Sequence, residues 1–268
     1  MNDLLRELAP ISSEAWTAID DEARRTLKSM LAARKLVDFS GPLGWNAAAV
    51  ETGRTERVSA QLEPGVEARV RRTQPLVELR VPFELSRDEL EAVSRGAKDP
   101  DLELVRKAAR AAAMAEDRAV FHGYAEAGIV GIMQAASNRR LLLTDDFDAY
   151  PGVVADAVSS LHSAGVEGRY AIALGPRCYT GLTKTVRNGF PVIEHVRRLL
   201  NGPIVWAPAI DGAAVISLRG GDFELTVGQD FSIGYLEHSS RSVRLYLQET
   251  FTFRVLAPEA AVPLGYHA

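Results

Sequence analysis

The first residues of the chain carry a helical pattern followed by a strand pattern. Apolar positions recur every three or four residues over 12–34, which predicts an amphipathic helix that Ser12 or Ser13 can cap. The apolar face of this helix consists of Trp16, Ile19, Ala23, Leu27, Met30 and Leu31. Residues 35–42 then show the pattern of a short strand, which ends at the turn Gly41-Pro42. A helix and a short strand are therefore expected to open the fold.

Residues 55–71 carry the pattern of a β-hairpin. Apolar and polar residues alternate on both sides of a turn at 63–65, with Val58, Ala60 and Leu62 before it and Val66, Ala68 and Val70 after it. Each strand has only modest apolar groups to bury, and an isolated two-stranded ribbon is marginal in water. We expect the ribbon either to lie on its own domain or to obtain the missing surface from a neighbouring subunit.

The clearest helical pattern lies in the middle of the chain. A strand is predicted at 75–83, and residues 86–89 have capping-box spacing ahead of a short helix that stops at Gly96. A long helix is then predicted from Asp99, as N-cap, to Gly123. Its inner face is mostly small, so a sheet or helix can approach closely: Leu102, Val105, Ala109, Ala112, Ala113, Ala119 and Val120. We expect this helix to be a buried spine.

The second half of the chain alternates helices and strands and then becomes mostly strand. Helices are predicted near 148–164 and after Pro176 and Pro191, and strands at 170–174, 203–207 and 213–218. Residues 134–220 therefore resemble a compact α/β unit inserted into the rest. Further strands are predicted at 223–227, 231–236, 243–247 and 251–255, with a hairpin turn at 219–222. The predicted fold class is α+β.

Composition places the chain among ordinary globular proteins. Its 268 residues are 47% hydrophobic and 25% charged, which fits one large or two modest domains. The chain has 31 Lys and Arg and 35 Asp and Glu, so its net charge is -4. This charge creates no positive potential that would attract the phosphates of a nucleic acid. No signal-peptide pattern and no run of 18 apolar residues is present. We expect a cytoplasmic protein with neither nucleic acid nor membrane as its partner.

The sequence has no residue pattern typical of catalysis. The single cysteine, Cys178, excludes an intrachain disulfide and is expected to be a small packing residue. No known mechanism matches the spacing of the histidines, which are His122, His162, His195, His238 and His267. The glycine pairs at 41–44 and 219–222 lack the context of a phosphate-binding loop. We therefore expect no catalytic residues, no metal and no cofactor.

Short segments spread over the whole chain resemble the encapsulin shell proteins, also called the linocin or bacteriocin-like family. The segments are 9–10, 16, 19–20, 33–35, 37–38, 41–42, 44–45, 75–80, 116–117, 121–123, 220–223, 228–230, 232–235 and 249–253. Any one of these segments alone would be weak evidence for the family. Their joint order makes the resemblance specific.

The resemblance implies a fold like that of the capsids of tailed phages of the Hong Kong 97 type. Such a subunit has a peripheral domain, an axial domain and an extended loop. The loop would be residues 51–73 and the axial domain 134–220, with 1–50, 74–133 and 221–268 forming the peripheral domain. The hairpin would then pair with an adjacent subunit in a homo-oligomeric, icosahedral shell of about 60 copies.

The resemblance also implies a site for cargo. Encapsulin shells enclose enzymes whose C-terminal targeting peptide docks on the lumenal face of the peripheral domain, and ferritin-like proteins or dye-decolourising peroxidases are candidates. The implied peptide-binding residues are Arg34, Leu36, Asp38, Phe39, Ile233 and Tyr235. Arg34 and Asp38 would orient the peptide, while each buried apolar side chain contributes about 1.5–3 kcal/mol. Alternatively, these residues only pack the first helix onto its own sheet.

A second implied site is a pore. Residues 185–190 resemble the axial-domain loop around a fivefold opening, where Arg187, Asn188, Gly189 and Phe190 would line the passage. Asn188-Gly189 favours a turn, and Arg187 would place positive charge near the rim. An ordinary connection between two helices is the alternative.

The function implied is that of a self-assembling nanocompartment shell that encapsulates cargo and has no catalysis of its own. One alternative is a phage major capsid protein that packages nucleic acid, against which the balanced charge of residues 1–34 argues. A protease or secreted bacteriocin is another alternative, and the missing catalytic pattern argues against it.

Overall fold

The computed structural model describes residues 3–60 and 62–266. Its helices are α1 (Ser13–Met30), α2 (Arg87–Ser94), α3 (Glu103–His122), α4 (Ile132–Ala135), α5 (Tyr150–Ser163), α6 (Pro176–Lys184) and α7 (Val192–Leu200). Its strands are β1 (Asp38–Ser40), β2 (Ala49–Arg57), β3 (Arg69–Pro75), β4 (Val77–Ser86), β5 (Leu141–Leu143), β6 (Tyr170–Leu174), β7 (Val186–Arg187), β8 (Phe190–Pro191), β9 (Ile204–Trp206), β10 (Ala213–Ser217), β11 (Phe223–Val227), β12 (Ser232–His238), β13 (Ser242–Val255) and β14 (Ala261–Tyr266). The mixture confirms the α+β prediction.

One sheet is organised around the long strand β13. Strand β4 pairs with one edge of β13, while β12 and β11 share the other edge, and β1 adds in parallel to β11. The two strands predicted at 243–247 and 251–255 are thus one strand. The apolar alternation is interrupted by the buried polar residues Gln248, Glu249 and Thr250, but the extended backbone is not.

The second sheet has the strand order β5-β14-β10-β6-β9, and α5, α6 and α7 pack on it. Its last strand along the chain, β14, lies between β10 and β5. Residues 261–266, which the expected division places in the peripheral domain, thus pair with strands of the 134–220 segment. The predicted hairpin at 219–222 is wrong, because β10 and β11 belong to different sheets. Alternation shows that a strand exists but not which sheet it joins.

Two helices, α1 and α3, form the frame on which the candidate site is built. Ser12 caps α1, its Oγ accepting the Ala15 N–H at 3.2 Å. The helix ends at Met30, short of the predicted 34, because the Asp117 carboxylate accepts the N–H groups of Ala32 and Ala33, each at 2.9 Å. These bonds replace the next helical turn.

Helix α3 confirms the buried spine, although it starts at Glu103 and not at Asp99. Asp101 accepts the Glu103 N–H at 3.0 Å, which sets the start. Gly123, at φ 84°, ends the helix as predicted. The predicted inner residues are all buried. The first half of α3 packs with α1 and the first sheet, and the second half joins the core around the second sheet.

The hairpin β2–β3 stands apart from both sheets. Its strands pair only with each other among the described residues, and nearly all of their side chains are exposed. The observed strands overlap the predicted hairpin only at its two ends. They pair from Ala49 opposite Pro75 to Arg57 opposite Arg69, and residues 58–68 form the connection. Gln61 lies outside the described residues. Most of the alternating apolar residues therefore belong to this connecting segment, and only Val70 lies in a strand.

Candidate functional site

A groove of about 400 Å³ lies between α1 and β12. Its helical side consists of Ala23, Leu27 and Leu31, which lie one above another because they are four residues apart. Its other side includes Ile233, which β12 directs towards the helix, and Leu247 from β13. The floor is therefore apolar, and both helical period and strand alternation are needed to build it.

Charged groups and the N-terminal segment border the groove. Lys28, Arg34 and Asp230 contribute polar groups to its lining. The segment that includes Leu4 runs along β12, because the Tyr235 N–H donates to the Leu4 carbonyl at 2.8 Å. Arg6 then fixes this segment to α1 through Asp20, at 2.7 Å. The chain's own N-terminal region thus closes one side.

Arg34 occupies the border between the groove and the core. Its Nε donates to both carboxylate oxygens of Glu116, at 3.0 and 2.9 Å, and its Nη2 donates to Glu116 Oε2 at 2.6 Å. Nη1 donates to Asp230 Oδ1 at 2.8 Å, and Nη2 also binds Glu249. The guanidinium lies near the rings of Phe39 and Phe231, at 5.2 and 4.9 Å from their centroids. One side chain therefore joins α3, β13 and the groove wall.

Burial and neighbouring charges perturb the titration of this cluster. Burial alone would lower the pKa of Arg34, but its three carboxylate partners raise that pKa by more. Burial raises the pKa of Glu249 well above its usual range, and the Glu116 carboxylate raises it further. Burial also raises the pKa of Asp117 to about 7, against the two backbone hydrogen bonds that lower it.

Of the six residues expected to bind a peptide, Arg34 and Ile233 line the groove, whereas Leu36, Asp38, Phe39 and Tyr235 do not. Phe39 is 41% exposed, and Arg34, Asp38 and Tyr235 keep some exposed surface. Leu36, only 4% exposed, packs in the main core. Ile233 is 3% exposed and packs in the core behind α1, although it contributes to the groove lining.

Asp38 has a local structural partner. Its Oδ2 accepts the Gly221 N–H at 2.6 Å, at the link between the two sheets. Gly220 and Gly221 both have positive φ, at 84° and 77°, which suits glycine at this turn. Leu36, Asp38 and Gly220 line a second, smaller depression of about 150 Å³ that also includes Arg34. The Arg34 side chain thus separates two depressions.

Sequence patterns gave no role to the buried acidic residues that hold Arg34 and the turn around it. Glu116 and Asp117 interrupt the small apolar face of α3, and Glu249 interrupts the alternation of β13, yet all three are fully buried. A charge in the middle of an otherwise apolar periodic face is the signal that could have indicated a buried ion-pair network.

The residues expected at a pore form a small exposed hairpin. Strands β7 and β8 pair, with Val186 opposite Pro191 and Arg187 opposite Phe190. Asn188 and Gly189 have φ values of 51° and 80°, which is the turn that their sequence favours. Arg187 donates to the Asp148 carbonyl at 3.0 Å, and Phe190 is 56% exposed.

Within residues 3–60 and 62–266, no group of His, Cys, Asp and Glu side chains has the arrangement of a metal site. Cys178 is fully buried in the core, which confirms its packing role. Across the same residues, no helix has the length and apolar character needed to cross a bilayer.

The fold matches those of capsid subunits. The crystal structure of a virus-like particle from Pyrococcus furiosus is similar with a TM-score of 0.65 and 17% identity, over 93% of this chain and 98% of that one. The capsid of an empty GTA particle is similar with a TM-score of 0.54 and 15% identity, over 88% and 90% of the two chains. The architecture is therefore the Hong Kong 97-like capsid fold, as the resemblance implied.

Sequence comparisons then specify the family. Residues 1–252 match the Linocin_M18 family, which is described as an encapsulating protein for peroxidase. A type 1 encapsulin shell protein of Rhodospirillum rubrum is 56% identical over 98% of this chain and 96% of its own length. The chain belongs to the encapsulin shell protein family. Family membership and a capsid-like fold imply assembly from many subunits.

Proposed function

We propose that the chain forms a closed icosahedral shell of about 60 copies and captures cargo proteins through a targeting peptide at their C-terminus. The observation that carries this proposal is the open groove between α1 and β12, with its apolar floor and polar border. The shell would act by assembly and binding, with no catalysis of its own.

The groove fits a short, partly apolar peptide in extended form. Two or three apolar side chains could be buried against Leu27, Ile233 and Leu247, at about 1.5–3 kcal/mol each. Association and ordering of the peptide oppose this gain, so a single site would be weak. Many equivalent sites on one shell compensate, because an oligomeric cargo engages several of them at once.

The six proposed peptide-binding residues differ in how much of each side chain is exposed, so we propose different roles for them. Phe39 is exposed and Tyr235 is partly exposed, so both offer aromatic surface, and Arg34 and Asp38 offer polar groups. Leu36 would act from the core as support for this surface. Ferritin-like proteins and dye-decolourising peroxidases are the cargo classes that we propose.

The hairpin β2–β3 supports the assembly part of the proposal. Its connecting segment exposes Leu62 at 83% and Val66 at 49%, and its strand β3 exposes Val70 at 56%. A ribbon that leaves its apolar residues in water gains stability when another surface covers them. We propose that an adjacent subunit supplies this surface and that the β7–β8 hairpin lines the opening at the fivefold axis.

Blocking the groove tests the docking proposal. Ser232→Trp places a large side chain in the groove lining, whereas Thr17→Trp changes an exposed residue of α1 outside it. Mass spectrometry of particles from the native host first identifies the cargo, whose C-terminal segment is then fused to a fluorescent protein and co-expressed. We expect normal particles from both variants by electron microscopy and loss of loading only for Ser232→Trp. Equal loading of the two variants would contradict the site.

Deleting the hairpin tests the assembly proposal. Without residues 57–70 we expect pentamers, monomers or aggregates by analytical ultracentrifugation and no closed particles. Full-length particles treated with nuclease should lack the ultraviolet absorbance of nucleic acid. Protected nucleic acid would instead favour a phage capsid function, and closed particles from the deletion variant would show that the hairpin is not the essential contact.

A further inference from the structure

Residues 3–8, which we call the strap, lie between the groove and the outer edge of β12. Leu4 and Arg6 line the groove together with residues of α1. The Tyr235 N–H donates to the Leu4 carbonyl at 2.8 Å. Within the described part of the chain, no strand of the sheet pairs with this edge of β12. The strap therefore occupies part of an edge that can accept an extended backbone.

The pairing of β12 with β13 shows which backbone groups face this edge. Gly234 lies opposite Tyr246, and Ile233 lies opposite Leu247. Backbone N–H and C=O groups alternate between the two edges of a strand, and Tyr235 directs its N–H away from β13. Ile233, two residues earlier, therefore directs its N–H and C=O towards the same edge, while its side chain lines the groove. A peptide in the groove can thus reach the backbone of β12 at both positions, of which the strap already holds the second.

Surface contacts hold the strap in place, and its residues are all exposed or half-buried. Arg6 donates two hydrogen bonds to Asp20 of α1, at 3.2 and 2.7 Å, and lies 3.9 Å from the centroid of the Trp16 ring. The Tyr246 hydroxyl donates to the Asp3 carbonyl at 3.3 Å. A segment with so little buried surface detaches at a low cost in free energy.

The backbone of the strap is strained at Leu5. Its φ is 50°, in the left-handed region that residues other than glycine, asparagine and aspartate rarely adopt. Leu5 is 43% exposed, so packing of its side chain contributes little that would offset the strain. Because detaching the strap relieves this strain, a ligand can displace the strap more easily.

We propose that the strap is an intramolecular competitor for the groove, which a cargo targeting peptide displaces in order to pair with the edge of β12 at Ile233 and Tyr235. This inference rests on the proposed function, because it requires that the peptide docks in the groove. The side of the groove that the strap closes in the free chain then opens along β12 when cargo binds. Since displacing the strap opposes docking, a more firmly held strap makes docking weaker.

Loosening the strap tests this competition. Arg6→Gln removes the ion pair with Asp20, whereas the control Arg24→Gln removes another groove-lining arginine whose partner, Asp21, lies on α1 itself. The fluorescent fusion described above is co-expressed at graded levels, and the level that half-fills the particles is measured. We expect this level to fall by about threefold to tenfold for Arg6→Gln and to stay within about twofold of the wild type for Arg24→Gln.

Two further variants act on the strap without changing a residue of the groove lining. Trp16→Leu removes the ring beneath Arg6 and should also lower the half-filling level, so it serves if Arg6→Gln does not assemble. Leu5→Asn suits the left-handed backbone, holds the strap more firmly and should raise the level. Equal levels for Arg6→Gln and Arg24→Gln would overturn the proposal. A higher level for Arg6→Gln would overturn it by showing that the strap is part of the binding surface.

Hydrogen–deuterium exchange separates failure of the displacement from failure of docking. In particles loaded with the fusion, we expect exchange to be faster at residues 3–8 and slower at 23–31 and 232–236 than in empty particles. Slower exchange at the groove with unchanged exchange at residues 3–8 would overturn the displacement and leave the docking proposal standing. If neither loading nor protection of the groove occurs in any variant, both proposals fail.

Discussion

Replacing Arg34 with methionine removes the cation at the centre of the site while keeping much of its apolar volume. The change eliminates the hydrogen bonds to Glu116, Glu249 and Asp230. It leaves two fully buried carboxyl groups without their partner. Because one half of a buried ion pair remains, we expect a loss of about 3–5 kcal/mol in the free energy of unfolding.

Thermal unfolding of purified particles, followed by tryptophan fluorescence, measures this loss. A destabilisation of about 3–5 kcal/mol corresponds to a decrease in Tm of roughly 6–20 °C for a chain of this size. The matched control is Arg24→Met, which breaks an exposed ion pair with Asp21 and should change stability by less than about 1 kcal/mol.

The pH dependence provides a second check on Arg34→Met. Arg34 lowers the pKa of Glu249, so removing it strengthens proton binding by the folded chain. The stability difference from wild type should therefore grow as the pH rises and shrink in acid. The double variant Arg34→Met/Glu249→Gln should recover part of the loss. Equal Tm values for Arg34→Met and Arg24→Met at neutral pH would refute the reasoning.

Three other changes test the frame around the site. Burial raises the pKa of Asp117 from its ordinary 3.8 to about 7, so this group makes stability fall as pH rises through that range. Asp117→Asn should remove that component in urea titrations at several pH values and cost about 1–3 kcal/mol, because one backbone N–H loses its acceptor. Leu36→Asp should abolish soluble protein in expression trials, since it buries a charge in the core; soluble, closed particles would contradict the burial. Gly131→Ala should prevent folding because its Cβ would lie 2.2 Å from the Gly123 nitrogen, whereas Gly152→Ala in α5 meets nothing within 4 Å and should leave Tm unchanged or raised.

The acidic network shows where sequence patterns lose predictive power for the site. Arg34 and Asp38 could be assigned to the site by resemblance, but their partners could not. Glu116, Glu249 and Asp230 are far apart along the chain and carry no shared motif. They meet because α3 crosses behind the first sheet at the level of the turn after α1. Distances between such residues depend on packing, which no local pattern records.

Four features could be predicted from the sequence: the α+β class, the buried face of α3, the hairpin around residue 63 and, through ordered short segments, the capsid-like family. These features depend on local periodicity and turn chemistry, which act over a few residues. The sequence did not reveal that β14 joins the second sheet, that β13 is one strand, or that Leu36 and Ile233 lie in the core. Strand pairing and burial result from contacts between distant segments, and several pairings satisfy the same alternation.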